Sequence, residues 1–208
     1  AGGVVITASH NPARWNGLKL LDHHGTAPSP HLAGEIVATF RGTDDVETAS
    51  ISGPATLEAR GTDTHVAKVL GLINPMPLRE RGFKVVLDSV NGAGAVGGRS
   101  LLEALGCELT HLGSEPDGDF WHTPEPTAAN LTGLCEAVRE HGADIGCAQD
   151  PDADRLALAD EQGRYIGEEY TLVLAAWRVL LDAPGATLVA NLSTSRMIDD
   201  LAARFGAT

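Results

Sequence analysis

The chain has 208 residues, 43% of them hydrophobic, three cysteines and a formal charge of −13. That length allows one large domain or two small ones with real cores. The charge argues against nucleic acid and anionic membrane as partners, and no apolar run approaches the roughly 18 residues of a membrane span. A small anionic substrate remains compatible, provided that Arg, Lys and His cluster locally. No charged-then-apolar signal segment opens the chain. Cys107, Cys135 and Cys147 form no C-x-x-C pair, so reduced thiols and a cytoplasmic setting are expected. Ala1-Gly2-Gly3 runs directly into a strand pattern without an initial Met, which reads as a fragment of a longer protein.

Gly3–Thr7 reads as a strand, 8–15 as a polar loop, and Asn16-Gly17 as a turn before the apolar Leu18–Leu21. Ser29-Pro30 supplies an N-cap and a first-turn proline for a helix to about Phe40. Residues 42–60, rich in Gly, Thr, Ser and Asp, read as an inter-domain connection, and Thr62–Ile73 as a linking helix. Strands then alternate with helices: strand Phe83–Asp88, helix Ala95–Leu105, strand Cys107–Leu112, helix Leu131–His141, strand Asp144–Ala148. Leu156–Ala159 and Tyr165-Ile166 flank the turn Glu161-Gln162-Gly163, and Glu168–Leu181 is a helix. Past the break Asp182–Gly185, a strand Thr187–Asn191 and a helix Ser195–Phe205 open another unit. The pattern predicts an α/β fold with flanking helices and a mixed, largely parallel sheet carrying an antiparallel hairpin. The expected domains are 1–60, 61–185 and 186–208.

Asp150-Pro151-Asp152-Ala153-Asp154-Arg155 falls on the loop between two strands, at a strand's C-terminal end where α/β sheets place ligands. Three converging carboxylates repel one another and call for a cation. An all-oxygen set favours Mg²⁺, with Ca²⁺ or Mn²⁺ behind it. The bland reading is a solvated polar turn. An EF-hand is excluded because Arg155 stands where that loop needs glycine and the flanks are strands. Gly92-Ala93-Gly94-Ala95-Val96-Gly97 satisfies G-x-G-x-x-G, but Asp88-Ser89-Val90-Asn91 intervenes before its first glycine and no acidic residue closes the next strand. Small residues for close packing are the stronger reading there. Thr7-Ala8-Ser9-His10-Asn11-Pro12 offers Ser9 as a nucleophile or phosphate acceptor, activated by a base or a metal. His10 and Lys19 are candidates for proton transfer.

The Thr7–Pro12 motif followed by Asn16-Gly17-Leu18-Lys19, and then by Asp150–Arg155, resembles the α-D-phosphohexomutase superfamily, which includes phosphoglucomutase, phosphomannomutase and phosphoglucosamine mutase. Asp88–Gly94, Glu115–Gly118 and Gly167–Thr171 also resemble family segments. The resemblance implies an isomerase that interconverts hexose 1- and 6-phosphates of glucose, mannose or glucosamine through a phosphoserine enzyme. It implies that Ser9 carries the phosphate and that Asp150, Asp152 and Asp154 hold Mg²⁺ with a Ser9 phosphate oxygen. Arg155 would contact phosphate, Lys19 would act as general acid/base, and His10 would orient the serine loop. It further implies a four-domain protein, of which this chain holds the end of the first domain, the second, and the opening of the third. Two segments depart from the family pattern. Pro151 and Ala153 stand where many members have glycine, and His122–Pro126 differs from the His-Pro-Asn-Pro-like form. Two other classes remain open: a nicotinamide-dependent oxidoreductase using Gly92–Gly97, and a non-catalytic Mg²⁺- or Ca²⁺-binding module.

Overall fold

The computed structural model describes residues 2–12, 14–42, 56, 58 and 60–208. The connection expected at 42–60 falls largely outside them. The chain divides into two compact units, Ala1–Arg60 and Gly61–Thr208.

In the first unit, β1 (Gly3–Ile6) pairs antiparallel with β2 (Leu18–Leu21), with Val5 opposite Lys19, and α1 (Pro30–Gly42) follows. Ser29 Oγ accepts the Leu32 amide at 3.3 Å, the N-cap that the sequence signals.

The second unit holds a five-stranded sheet in the order β4-β3-β5-β6-β7. Its strands are β3 (Lys84–Asp88), β4 (Glu108–Leu112), β5 (Ile145–Gln149), β6 (Leu156–Ala159) and β7 (Tyr165–Gly167). β3 is parallel to both β4 and β5, while β5–β6 and β6–β7 are antiparallel. The sheet is therefore mixed, with three parallel strands extended by a hairpin. Val85, Val86 and Leu87 are all buried, as expected of a parallel strand covered on both faces. The crossovers β3–α4–β4 and β4–α5–β5 run in opposite directions along the sheet. Right-handed connections then put α4 (Gly94–Ala104) and α5 (Thr132–His141) on opposite faces. On the α5 face, Leu134, Val138 and Leu131 pack with Val86, Ala148 and Ala157. Each such leucine or valine contributes roughly 1.5–3 kcal/mol on burial.

Most bounds agree with the sequence reading to within two residues, and the exceptions have local causes. α2 (Gly61–Leu70) stops three residues early because Gly71 follows, its amide bonded back to Ala67. The short helix α3 (Met76–Arg81) was not anticipated. Asn74 Oδ1 accepts the Met76 amide at 3.1 Å, and the left-handed Gly82 caps the far end. The strand expected at Thr187–Asn191 is absent. Leu188 donates to Thr208 and Thr208 to Ala186, too few bonds for a ladder. α6 (Glu169–Asp182) and α7 (Met197–Phe205) instead share a small core of Leu180, Ile198 and Leu201.

Candidate active site and metal centre

Parallel β3 and β5 lie side by side, so the loops leaving their C-terminal ends meet. The Ala93 amide donates to Pro151 O at 2.8 Å, tying the β3 loop to the Asp150–Arg155 loop. Within the latter, the Ala153 amide donates to Asp150 O at 2.9 Å. Ala153 takes φ 56°, a left-handed conformation costing an L-residue roughly 1–2 kcal/mol. The turn brings one oxygen each of Asp150, Asp152 and Asp154 within 4.8 Å of one another. Asp150 is fully buried, Asp152 half-buried and Asp154 exposed. A buried carboxylate needs compensation, and Arg155 supplies part of it. Its amide donates to Asp150 Oδ1 at 3.1 Å and its Nε to Oδ2 at 3.3 Å. The donors are hard oxygens from alternating positions with an open, exposed side. They fit Mg²⁺, which keeps several waters and takes few protein carboxylates. A cleft of about 470 Å³ opens beside the loop, with His65, Val69, Gly97 and Asp152 among its walls.

In the first unit, the serine motif forms the tight loop after β1. The Ser9 amide donates to Thr7 Oγ1 at 2.9 Å, and Asn11 Nδ2 donates to Ala8 O at 2.9 Å. Ser9 is held at φ 51°, and its Oγ lies 3.3 Å from His10 Nδ1. Lys19 sits on β2, exposed, opposite Val5. Ser9, His10 and Lys19 thus share one unit, and the three aspartates with Arg155 share the other.

Among the described residues, the non-glycine positions with positive φ are Ser9, Val90, Asn91 and Ala153. Ser9 lies in the serine loop of the first unit, and Val90, Asn91 and Ala153 lie in the two touching loops of the second, where a site can over-determine its backbone.

The structure adds a group that the sequence reading did not assign. Asp88, 1% exposed at the end of β3, accepts at Oδ1 from the Val90 amide (2.9 Å) and from Trp121 Nε1 (3.1 Å). His122 Nε2 lies 2.9 Å from Asp88 Oδ2, and His122 Nδ1 lies 2.7 Å from Thr123 O. Both ring nitrogens face acceptors, so the geometry suits the imidazolium. Burial opposes that charge, but the hydrogen bond and charge of Asp88 outweigh it and raise the His122 pKa. The departing segment His122–Pro126 is therefore anchored to the β3 end. By contrast, burial and the nearby Arg99 lower the His111 pKa. Ser89 donates its hydroxyl to Gln149 Oε1 at 2.9 Å, so the His111 contact at 2.9 Å has His111 donating to Ser89. That proton direction, with Ser89 wholly buried, makes the pair structural. Burial also pushes the Cys147 thiol up to about 12, an unreactive cysteine.

The His122–Asp88 pair gives a pH prediction. Because the folded-state pKa is raised, its stabilisation is complete below the imidazole's ordinary value of about 6.5. It is lost as the pH rises through the elevated value. Urea midpoints measured from mildly acidic to mildly alkaline pH should fall over that window, and Asp88→Asn should remove the dependence.

The G-x-G-x-x-G stretch is used for contact. A Cβ on Gly92 would lie 2.6 Å from Pro151 Cα and O, and one on Gly94 would lie 2.5 Å from Ala153 Cβ. The glycines let the β3 loop touch the aspartate loop, so the dinucleotide reading is not favoured.

The second unit is thus a mixed α/β sheet with an aspartate-rich loop at its strand ends, and the first unit carries the strained serine loop. The family model described as phosphoglucomutase/phosphomannomutase, alpha/beta/alpha domain I matches residues 1–47, and domain II of the same family matches 63–163. The chain belongs to the phosphoglucomutase/phosphomannomutase family. It is 38% identical over 208 residues to a "Phosphoglucomutase/phosphomannomutase" of Thermococcus kodakarensis, covering 99% of this chain and 45% of that protein. It is 33% identical to a "Probable phosphoglucosamine mutase" of Methanopyrus kandleri, covering 98% of this chain and 45% of the relative. A crystal structure of a phosphoglucomutase/phosphomannomutase family protein from Burkholderia thailandensis superposes with a TM-score of 0.77 at 30% identity, covering 98% of this chain and 43% of that one. The chain spans about 45% of the length of the curated relatives it matches.

Proposed function

We propose that the protein is a Mg²⁺-dependent phosphohexomutase that interconverts hexose 1-phosphate and 6-phosphate through a phosphorylated Ser9. The substrate class is a glucose, mannose or glucosamine phosphate. The observation that carries the reading is the convergence of three aspartate oxygens within 4.8 Å beside Arg155. A phosphoserine brings roughly −1.5 to −2 charge, which three carboxylates tolerate only with cationic help.

Asp150, Asp152 and Asp154 would hold the ion. When bound, Mg²⁺ supplies charge withdrawal from the phosphoryl oxygens. Arg155 offers a guanidinium suited to phosphate. His10, beside the hydroxyl, orients the serine loop. In the forward step a sugar hydroxyl attacks phosphorus, its proton passes to the Lys19 amine as general base, and the bond from phosphorus to Ser9 Oγ breaks. The bisphosphate reorients, Ser9 Oγ attacks the other phosphate, and Lys19 returns the proton to the departing sugar oxygen.

We divide the protein as 1–60 with the serine loop, 61–185 with the metal loop and 186–208 as the start of a third domain. Its partner is a small anionic sugar rather than nucleic acid or membrane. No helix among the described residues is long and apolar enough to cross a membrane. The free thiols of Cys107, Cys135 and Cys147 support a cytoplasmic setting.

Intact-mass measurement of the full-length protein after incubation with a hexose 1,6-bisphosphate should show one added phosphate, and Ser9→Ala should abolish it. Phosphate on another residue would overturn the assignment of Ser9.

A further inference from the structure

We infer that Glu168 is a positioning residue for Arg155. It holds the guanidinium away from a two-pronged grip on Asp150, which leaves Nη2 unpaired for an anion and limits how strongly Arg155 competes with a cation for that carboxylate. The anion is a phosphate only if the phosphohexomutase reading holds; the effect on the cation does not depend on that reading.

The juxtaposition is built by the fold. Arg155 immediately precedes β6, and Glu168 is the N-cap of α6, reached through the β6–β7 hairpin. Thr171 Oγ1, in the first turn of α6, donates to Leu156 O at 2.6 Å. That bond fastens the helix start to the residue after Arg155. Arg155 Nη1 then lies 3.6 Å from Glu168 Oε1, and Nε lies 3.3 Å from Asp150 Oδ2. Asp154 Oδ1 is farther, at 4.0 Å from Nε.

An arginine facing one carboxylate prefers a two-pronged grip through Nε and the neighbouring Nη2. Asp150 is wholly buried and would draw such a grip, because a buried charge gains most from it. The grip is incomplete here. Nε reaches Asp150, but Nη2 is buried with no hydrogen-bond partner. Glu168, attracting Nη1 from the other end, explains why the group does not rotate home. Arg155 is 30% and Glu168 35% exposed in their side chains, so solvent screens the pair only in part.

Glu168→Gln keeps the side chain's size and removes the opposing charge. Arg155 should then close on Asp150 and compete with a cation for that carboxylate. Isothermal titration of the full chain with Mg²⁺ alone should show about a fivefold or greater loss of affinity. In the Arg155→Gln background the same change should cost almost nothing, the non-additivity expected of groups in direct contact. An equal loss in both backgrounds would mean that Glu168 acts only through its charge at the metal loop, and would overturn the inference. So would an unchanged affinity in both. Failure of the unmodified protein to bind Mg²⁺ would sink this inference and the metal reading together. Failure of Ser9 to accept phosphate, with the non-additivity intact, would sink only the mutase reading.

Discussion

Exchange of Asp152 for asparagine is expected to lower Mg²⁺ affinity by more than about a hundredfold, beyond what loss of an outer-shell partner costs. The substitution keeps the shape and deletes one of the three converging charges. Folding should change little. Two unit charges at the 4.8 Å limit of the cluster repel by about 3 kcal/mol at an effective dielectric of 20, before further screening of the half-buried side chain. Relief of that repulsion offsets bonds lost by the substitution. On the proposed phosphohexomutase function, hexose phosphate turnover of the full-length protein should fall by orders of magnitude, each factor of ten equal to about 1.36 kcal/mol of transition-state stabilisation. Asp160→Asn is the informative control. Asp160 accepts from the Gln162 and Arg164 amides and from Arg164 Nε at 2.7 Å, and these bonds lower its pKa. Its loss should loosen the β6–β7 turn and leave Mg²⁺ affinity alone. Titration calorimetry and urea unfolding on both variants separate the two effects. Unchanged affinity for Asp152→Asn would remove the metal site.

The parts of this site that could be read from sequence are those written in local spacing. Alternating aspartates after an apolar run placed the aspartate loop at a strand end, and the strand–helix alternation placed β3, β4 and β5 in one sheet. The contacts that the sequence concealed join distant residues. Asp88 meets Trp121 and His122 more than 30 residues later, across a loop whose path no periodicity encodes. Glu168 reaches Arg155 only because a hairpin folds α6 back on β6. The strand expected at Thr187–Asn191 illustrates the converse. Its composition suits a strand, but a strand forms only where a neighbour completes its ladder. The glycine stretch was correctly assigned to packing, yet its partner, Pro151, became visible only in the fold.

That partner makes Gly92→Ala a disruptive small change next to the aspartate loop. Gly92 is buried, and its added methyl would sit 2.6 Å from both Pro151 Cα and Pro151 O. These are backbone atoms of a rigid residue, so neither can rotate aside. Either the β3 loop or the aspartate loop must move, and the Ala93–Pro151 hydrogen bond is lost with the shift. Overpacking of this kind costs roughly 1–3 kcal/mol. The same displacement carries Asp150 and Asp152, which flank Pro151, out of their common geometry, so Mg²⁺ affinity should fall along with the unfolding midpoint. Gly97→Ala separates this from a general effect on α4. Its Cβ would meet only Thr62 Cγ2, at 3.9 Å. Alanine should then stabilise the helix by up to about 1 kcal/mol and leave Mg²⁺ affinity unchanged. If Gly92→Ala bound Mg²⁺ and unfolded like the unaltered chain, the two loops would not be coupled through Pro151. The glycine pattern would then need another cause.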